Sequence, residues 1–146
     1  MLQPKSNITY YKEMEESQAV KLCLEQWDYV IKEVRRWKTE KVKHQSPLPP
    51  VENIKDSWPC WDYNGGDVPP ARVDCVLCEW SAQHYHITSE IFHYCDVCPY
   101  VKVFGNMGDV YYPCTPTYWK SPIKFYNQLK KIQKIFQSKE VISERD

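Results

Sequence analysis

Cys75-Val76-Leu77-Cys78 and Cys95-Asp96-Val97-Cys98 make two C-x-x-C pairs with sixteen residues between them. Two residues between thiols let one tight turn aim both sulfurs at a single ion about 2.3 Å away, and amides of the turn relieve the thiolate charge. A gap of about 15–20 residues between two such pairs is zinc-site spacing. Four thiolates fill a tetrahedral shell and leave no position for water, so the predicted ion is structural Zn2+ rather than a hydrolytic catalyst. Cys114 is the first substitute for a member of the quartet, and His93, Cys60, His84 and His86 stand behind it. An iron–sulfur cluster is the alternative cofactor. Cys98-Pro99 has the Cys-Pro step of a ferredoxin, but the run of closely spaced cysteines is missing.

The histidines have two readings each. His84 and His86 alternate, which on a strand places both on one face, as a second metal pair or as plain polar surface. His93, two residues before Cys95, is placed to hydrogen-bond a thiolate or to serve as an ordinary structural histidine. Catalytic templates fail on spacing. The zinc-deaminase H-x-E element with P-C-x-x-C is absent, since the proline follows the second pair and three residues separate His86 from Glu90. H-E-x-x-H, the Walker loop, the dinucleotide glycine fingerprint and G-x-S-x-G are also missing. A thioredoxin-like dithiol needs a long helix after its C-x-x-C, and neither pair is expected to have one.

The elements that must position these groups are read from periodicity. Over residues 11–42, Val20, Cys23, Leu24, Trp27, Val30, Ile31, Val34 and Trp37 recur at steps of three and four, which predicts one long amphipathic helix. Ser46-Pro47-Leu48-Pro49-Pro50 must end it, because proline removes a backbone donor and restrains the residue ahead of it. Residues 46–71 are then a Pro-rich linker that its aromatics keep packed. Residues 72–118 form the metal-binding region, with β-prone pieces at 73–77, 84–87, 101–104 and 110–112 and a hairpin turn at 105–109. Residues 88–94 have a short helix as their alternative. Ser121-Pro122 has N-cap and first-turn order, and Phe125, Leu129, Ile132 and Phe136 carry a closing helix over 121–138, followed by a flexible tail at 139–146.

The chain has 146 residues, 19 basic and 19 acidic groups, and a mean hydropathy of −0.64, which fits one domain. Neutrality hides a pattern. Residues 1–46 carry 9 basic and 7 acidic groups, residues 47–121 carry 4 and 9, and residues 122–146 carry 6 and 3. A cysteine-rich middle that is acidic argues against phosphate there. Lys130, Lys131 and Lys134 on the closing helix are the nucleic-acid candidates, and a groove shared with Arg35, Arg36 and Lys38 would favour them; a solvated helix face is the simpler explanation. No apolar run approaches the roughly 18 residues of a membrane span, and the first twenty residues lack the order of a secretory signal. An intracellular, cytoplasmic protein is expected. Its 7 cysteines, an odd number, suit metal better than a complete disulfide set, and the sequon Asn7-Ile8-Thr9 is then without consequence.

Taken together, Ala19-Val20-Lys21-Leu22 with Trp27, Cys75-x-x-Cys78, Cys95-x-x-Cys98-Pro99 and Cys114-Thr115-Pro116-Thr117-Tyr118-Trp119 resemble a loose family of small, cysteine-rich bacteriophage proteins. Those proteins join an N-terminal helix with a Leu and Trp motif to a C-x-x-C, C-x-x-C-P, C-x-x-T-P-Y core. The resemblance implies a viral origin and a metal-held fold, and it raises Cys114 as a ligand. The chain departs from the pattern in its Thr-Pro-Thr-Tyr, its longer linker and the wider gap between pairs.

The expected object is therefore an α+β domain spanning residues 1–146. A long N-terminal helix and a C-terminal helix surround a small, irregular, zinc-ribbon-like β region. Binding rather than catalysis is the expected role: an accessory protein that engages a host or phage protein, with inhibition as one outcome. Trp37, Trp58, Trp61 and Tyr63 are the candidate contacts, because aromatics dominate interface hot spots. A zinc-ribbon nucleic-acid binder and a thiol redox protein are the rivals. Either a monomer or a homodimer through the long helix fits.

Overall fold

The computed structural model describes residues 7–40, 49–71, 76–85, 94–104 and 120–145. The described elements are α1 (Asn7–Lys12), α2 (Glu16–Thr39), α3 (Val51–Asp56), a 3-10 turn at Asp62–Asn64, α4 (Val76–His84), a second 3-10 turn at Tyr94–Val97, α5 (Pro99–Phe104) and α6 (Pro122–Arg145). Among these residues there is no strand, only an isolated bridge between Trp61 and Val68. The expected α+β, zinc-ribbon-like fold is thereby corrected to a helical one.

Val76 and Leu77 of the first predicted β piece, and the whole of the piece at 101–104, are helical for a physical reason. Val76 through Ser81 are all buried, the polar Glu79 and Ser81 included, so α4 shows neither a twofold nor a helical period of apolar residues. It packs against α1, α2 and the turn that carries Cys95. A short, largely apolar run of this kind reads alike as buried strand or buried helix, and tertiary packing overrides the β preference of Val76. Residues 101–104 lie in α5, which starts at Pro99, where the missing N–H costs nothing. The expected strand at 110–112, the hairpin at 105–109, the 88–93 stretch, and residues 73–75 and 86–87 of the first two expected β pieces lie outside the described residues.

The long predicted helix is broken near its start. Glu13–Glu15 turn the chain between α1 and α2, and Gln18 Oε1 accepts a hydrogen bond from the Glu15 amide at 3.1 Å, closing a capping box. From Glu16 onward the stripe behaves as its spacing predicts: Ala19, Val20, Cys23, Trp27, Val30, Ile31 and Val34 are buried. α6 runs antiparallel to α2. Phe125 meets Trp27 edge-on with ring centroids 4.6 Å apart, while Gln133 and Phe136 share a cleft with Ser17 and Gln18 at the other end. The closing helix continues to Arg145, past its expected end.

The linker is a built loop. Trp58 and Trp61 are buried and pack edge-on at 5.0 Å. Asn64 Nδ2 donates to the Asp56 and Trp58 carbonyls, both at 2.8 Å, and Trp61 Nε1 donates to the Lys55 carbonyl at 3.0 Å. Gly65 takes φ 98°, a left-handed conformation that closes the turn. At Gly66 a Cβ would stand 2.2 Å from the Cys60 carbonyl oxygen, so only glycine lets the loop fold back on itself.

Candidate functional site

The metal candidates divide into three groups. Cys78, Cys95 and Cys98 are buried, at 4%, 4% and 6% exposure. Cys78 lies in the first turn of α4, and Cys95 lies in the 3-10 turn that packs against that helix. The Cys98 amide donates to the Cys95 carbonyl at 3.1 Å, closing the tight C-x-x-C turn, and α5 begins at the next residue. No disulfide joins any of the described cysteines. Among the described residues no three His, Cys, Asp or Glu side chains form a group that holds a metal ion. Cys75, Cys114, His86 and His93 lie outside the described residues. Cys78, Cys95 and Cys98 are all described, so for all their burial these three are among the side chains that form no such group.

His84 and Cys60 have other surroundings. His84 sits in the last turn of α4 rather than on a strand, stacks on Trp80 with centroids 4.4 Å apart, and contacts the Tyr11 carbonyl through Nε2 at 2.9 Å. With Trp80 Nε1 donating to the Met14 carbonyl at 2.8 Å, it docks α4 under the α1–α2 junction. Cys60 is exposed in the linker loop, where slight burial and then the Glu25 and Asp67 carboxylates push its thiol above the ordinary value.

The four aromatic contact candidates also separate. Trp58 and Trp61, at 3% and 4% exposure, are core side chains, which removes them as surface contacts. Trp37 is half-buried near the end of α2. Tyr63 is 57% exposed, and its hydroxyl donates to the Asp56 carbonyl at 2.8 Å, so the ring is held in one orientation on the surface.

The basic candidates Lys130, Lys131 and Lys134 are exposed and spread around the outer side of α6. Lys130 Nζ lies 4.5 Å above the Tyr126 ring, whose hydroxyl donates to Asp28 Oδ1 at 3.0 Å, and Asp28 Oδ2 pairs with Lys32 at 3.0 Å. Arg35 also lies within electrostatic reach of Tyr126. Asp28 thus stands among the basic groups Lys32, Arg35 and Lys130.

Sequence reasoning passed over the buried polar groups. Gln26 and Glu79 are fully buried, and Lys55 is buried with a 3.2 Å ion pair to Glu52. Both side-chain polar atoms of Gln26 lack a hydrogen-bond partner. The signal was present, since Gln26 falls on the α2 stripe, three residues after Cys23 and four before Val30. Also missed was an open cleft of about 430 Å³ between α1 and the first half of α2, lined by Tyr10, Met14 and Leu22 with Glu13, Lys21 and Glu25.

No family model matches the chain, nor does any curated protein or solved structure. No helix among the described residues is long and apolar enough to cross a membrane.

Proposed function

We propose that the chain is a small zinc-binding accessory protein of the phage type, with a structural metal, that acts in the cytoplasm by binding a host or viral protein and inhibiting it. The observation that carries this reading is the burial of Cys78, Cys95 and Cys98 on two elements distant in sequence that pack together. Cys75, one residue before α4, is the fourth ligand. A closed thiolate shell links α4 to the turn before α5, and metal affinity becomes folding energy.

The binding part of the reading draws on Tyr63, an exposed and pre-oriented aromatic of the kind enriched at hot spots. Nucleic-acid binding has less support, because Asp28 sits among Lys32, Arg35 and Lys130 where a phosphate would have to bind.

Native mass spectrometry with metal analysis of the full chain tests the metal. One zinc per chain is expected, lost together with helicity in Cys95→Ser and Cys98→Ser. A metal-empty chain that keeps its helicity and its near-ultraviolet circular dichroism would overturn it. For binding, a partner that associates with the purified chain should lose affinity on Tyr63→Ala. Salt-sensitive binding to an oligonucleotide, weakened by Lys130→Gln and Lys134→Gln, would replace this reading with the nucleic-acid one.

A further inference from the structure

The linker loop buries two of its aromatic side chains and turns the third outward. Trp58 and Trp61 are core, whereas Tyr63 is 57% exposed, more open than Ile135 at 39%. The Tyr63 hydroxyl donates to the Asp56 carbonyl at 2.8 Å, and Asn64 Nδ2 donates to the same oxygen at 2.8 Å. The far end of the ring is therefore tethered to a loop that is itself closed by hydrogen bonds. Among the described residues no other ring and no cation stacks on Tyr63. An aromatic surface held in one orientation is ready before any ligand arrives, so little side-chain freedom is lost when it is covered.

The charge beside this ring has one sign. Asp62 precedes Tyr63 in the same 3-10 turn, and Asp56 supplies the carbonyl that holds the hydroxyl; both aspartates are exposed. Neither has an ion-pair partner among the described residues. Lys55 is the one basic residue between 49 and 71, and it is buried and paired with Glu52 at 3.2 Å. Slight burial and then the Asp56 and Asp62 carboxylates raise the Tyr63 phenol, in keeping with that placement. An open aromatic face flanked by uncompensated carboxylates is the chemistry that receives a cation, through cation–π attraction and charge-assisted hydrogen bonds. Arginine fits it best, because a planar, weakly hydrated guanidinium stacks on a ring while its edge bonds a carboxylate. A phosphate or an acidic peptide meets repulsion at the same place.

We propose that Tyr63, with Asp56 and Asp62 beside it, receives an arginine side chain of the bound partner protein. The inference rests on the reading of Tyr63 as a binding contact and names the chemistry of what it contacts.

The test is a titration of the full chain, 15N-labelled, with the capped peptide Gly-Arg-Arg-Gly, followed by NMR. Shift changes are expected at residues 56–65, and Tyr63→Ala should abolish them. In the Asp56→Asn/Asp62→Asn variant the peptide Kd should rise roughly fivefold, the size of two exposed ion pairs. That variant keeps every hydrogen bond of the loop, because Tyr63, Asn64 and Val68 bond the backbone of Asp56 and Asp62 and not their carboxylates. Near-ultraviolet circular dichroism of the tryptophans reports whether each variant retains the loop. Equal shifts with Gly-Glu-Glu-Gly, an unchanged Kd in the double variant, or no shifts at residues 56–65 with the arginine peptide would overturn the proposal. Peptide-free shifts at these residues that grow with protein concentration would do so as well, by making a second copy the occupant. A partner that loses affinity on Tyr63→Ala yet binds the Asp56→Asn/Asp62→Asn variant as before would overturn this inference and leave the binding reading in place. A partner indifferent to Tyr63→Ala would remove both.

Discussion

Tyr126 donates its hydroxyl hydrogen to Asp28 Oδ1 at 3.0 Å, joining α6 to α2 between residues 98 positions apart in the chain. Lys32 shares the same carboxylate at 3.0 Å, so one acidic group ties together the outer seam of the two longest helices. Hydrogen bonds from Lys32 and then Tyr126 hold the Asp28 carboxyl below its ordinary 3.8, while burial and then Asp28 lift the Tyr126 phenol above its ordinary 10.0.

The seam has a pH window that follows from these directions. Asp28 contributes stability that is complete above 3.8 and is lost as pH falls through its lowered folded value. Tyr126 contributes stability that is complete below 10.0 and is lost as pH rises through its raised folded value. Tyr126→Phe is expected to cost about 0.5 kcal/mol at neutral pH, the low end for a hydrogen bond because the carboxylate is half exposed and screened. It should also flatten the loss of stability in both acid and alkali. Urea denaturation from pH 3 to pH 11 checks both effects.

Neighbouring glycines in the linker should respond differently. Gly65→Ala meets no atom within 4 Å and suffers only the left-handed backbone, about 1–2 kcal/mol. Gly66→Ala drives a methyl into the Cys60 backbone, so the loop must open and lose the Trp58–Trp61 contact. Thermal melts combined with near-ultraviolet circular dichroism of the tryptophans distinguish a shifted transition from a lost loop.

Replacing Gln26 with Leu should stabilise the protein. The amide is fully buried with neither polar atom hydrogen-bonded, a state that costs about 1–3 kcal/mol, and leucine is close to it in volume. A rise in the urea midpoint with an unchanged slope is the expected result.

His84→Ala is expected to lower stability by about 1–2 kcal/mol through loss of the Trp80 stack and the Tyr11 contact, with bound metal per chain unaffected. Metal analysis beside chemical denaturation reads both. A fall in zinc content would return His84 to the ligand set.

Cys60 should alkylate slowly despite its exposure. Its thiol lies above the ordinary 9.0 through burial, Glu25 and Asp67, so less of it is thiolate at neutral pH than in an unperturbed cysteine. Glu25→Gln should speed labelling by iodoacetamide and move its pH midpoint down, measured by peptide mass spectrometry.

The spacing of apolar residues alone determined the two long helices, because a 3.6-residue period survives wherever one face is buried and the other is wet. Val20 to Val34 and Phe125 to Ile132 were legible for that reason, as was the Ser121-Pro122 start of α6. The paired cysteines were equally plain as a chemical pattern, since ligand type and separation are properties of the chain itself. Only the tertiary structure decided that Val76–His84 and Pro99–Phe104 are helices, because the first is buried over six successive residues and the second is six residues long, too few to show a period. It also decided that Trp58 and Trp61 are core while Tyr63 is surface, that Met14 lies in a turn between two helices, and that His84 serves packing. Each of those outcomes depends on which neighbour occupies the space beside a residue, and that neighbour is supplied by segments distant in the chain.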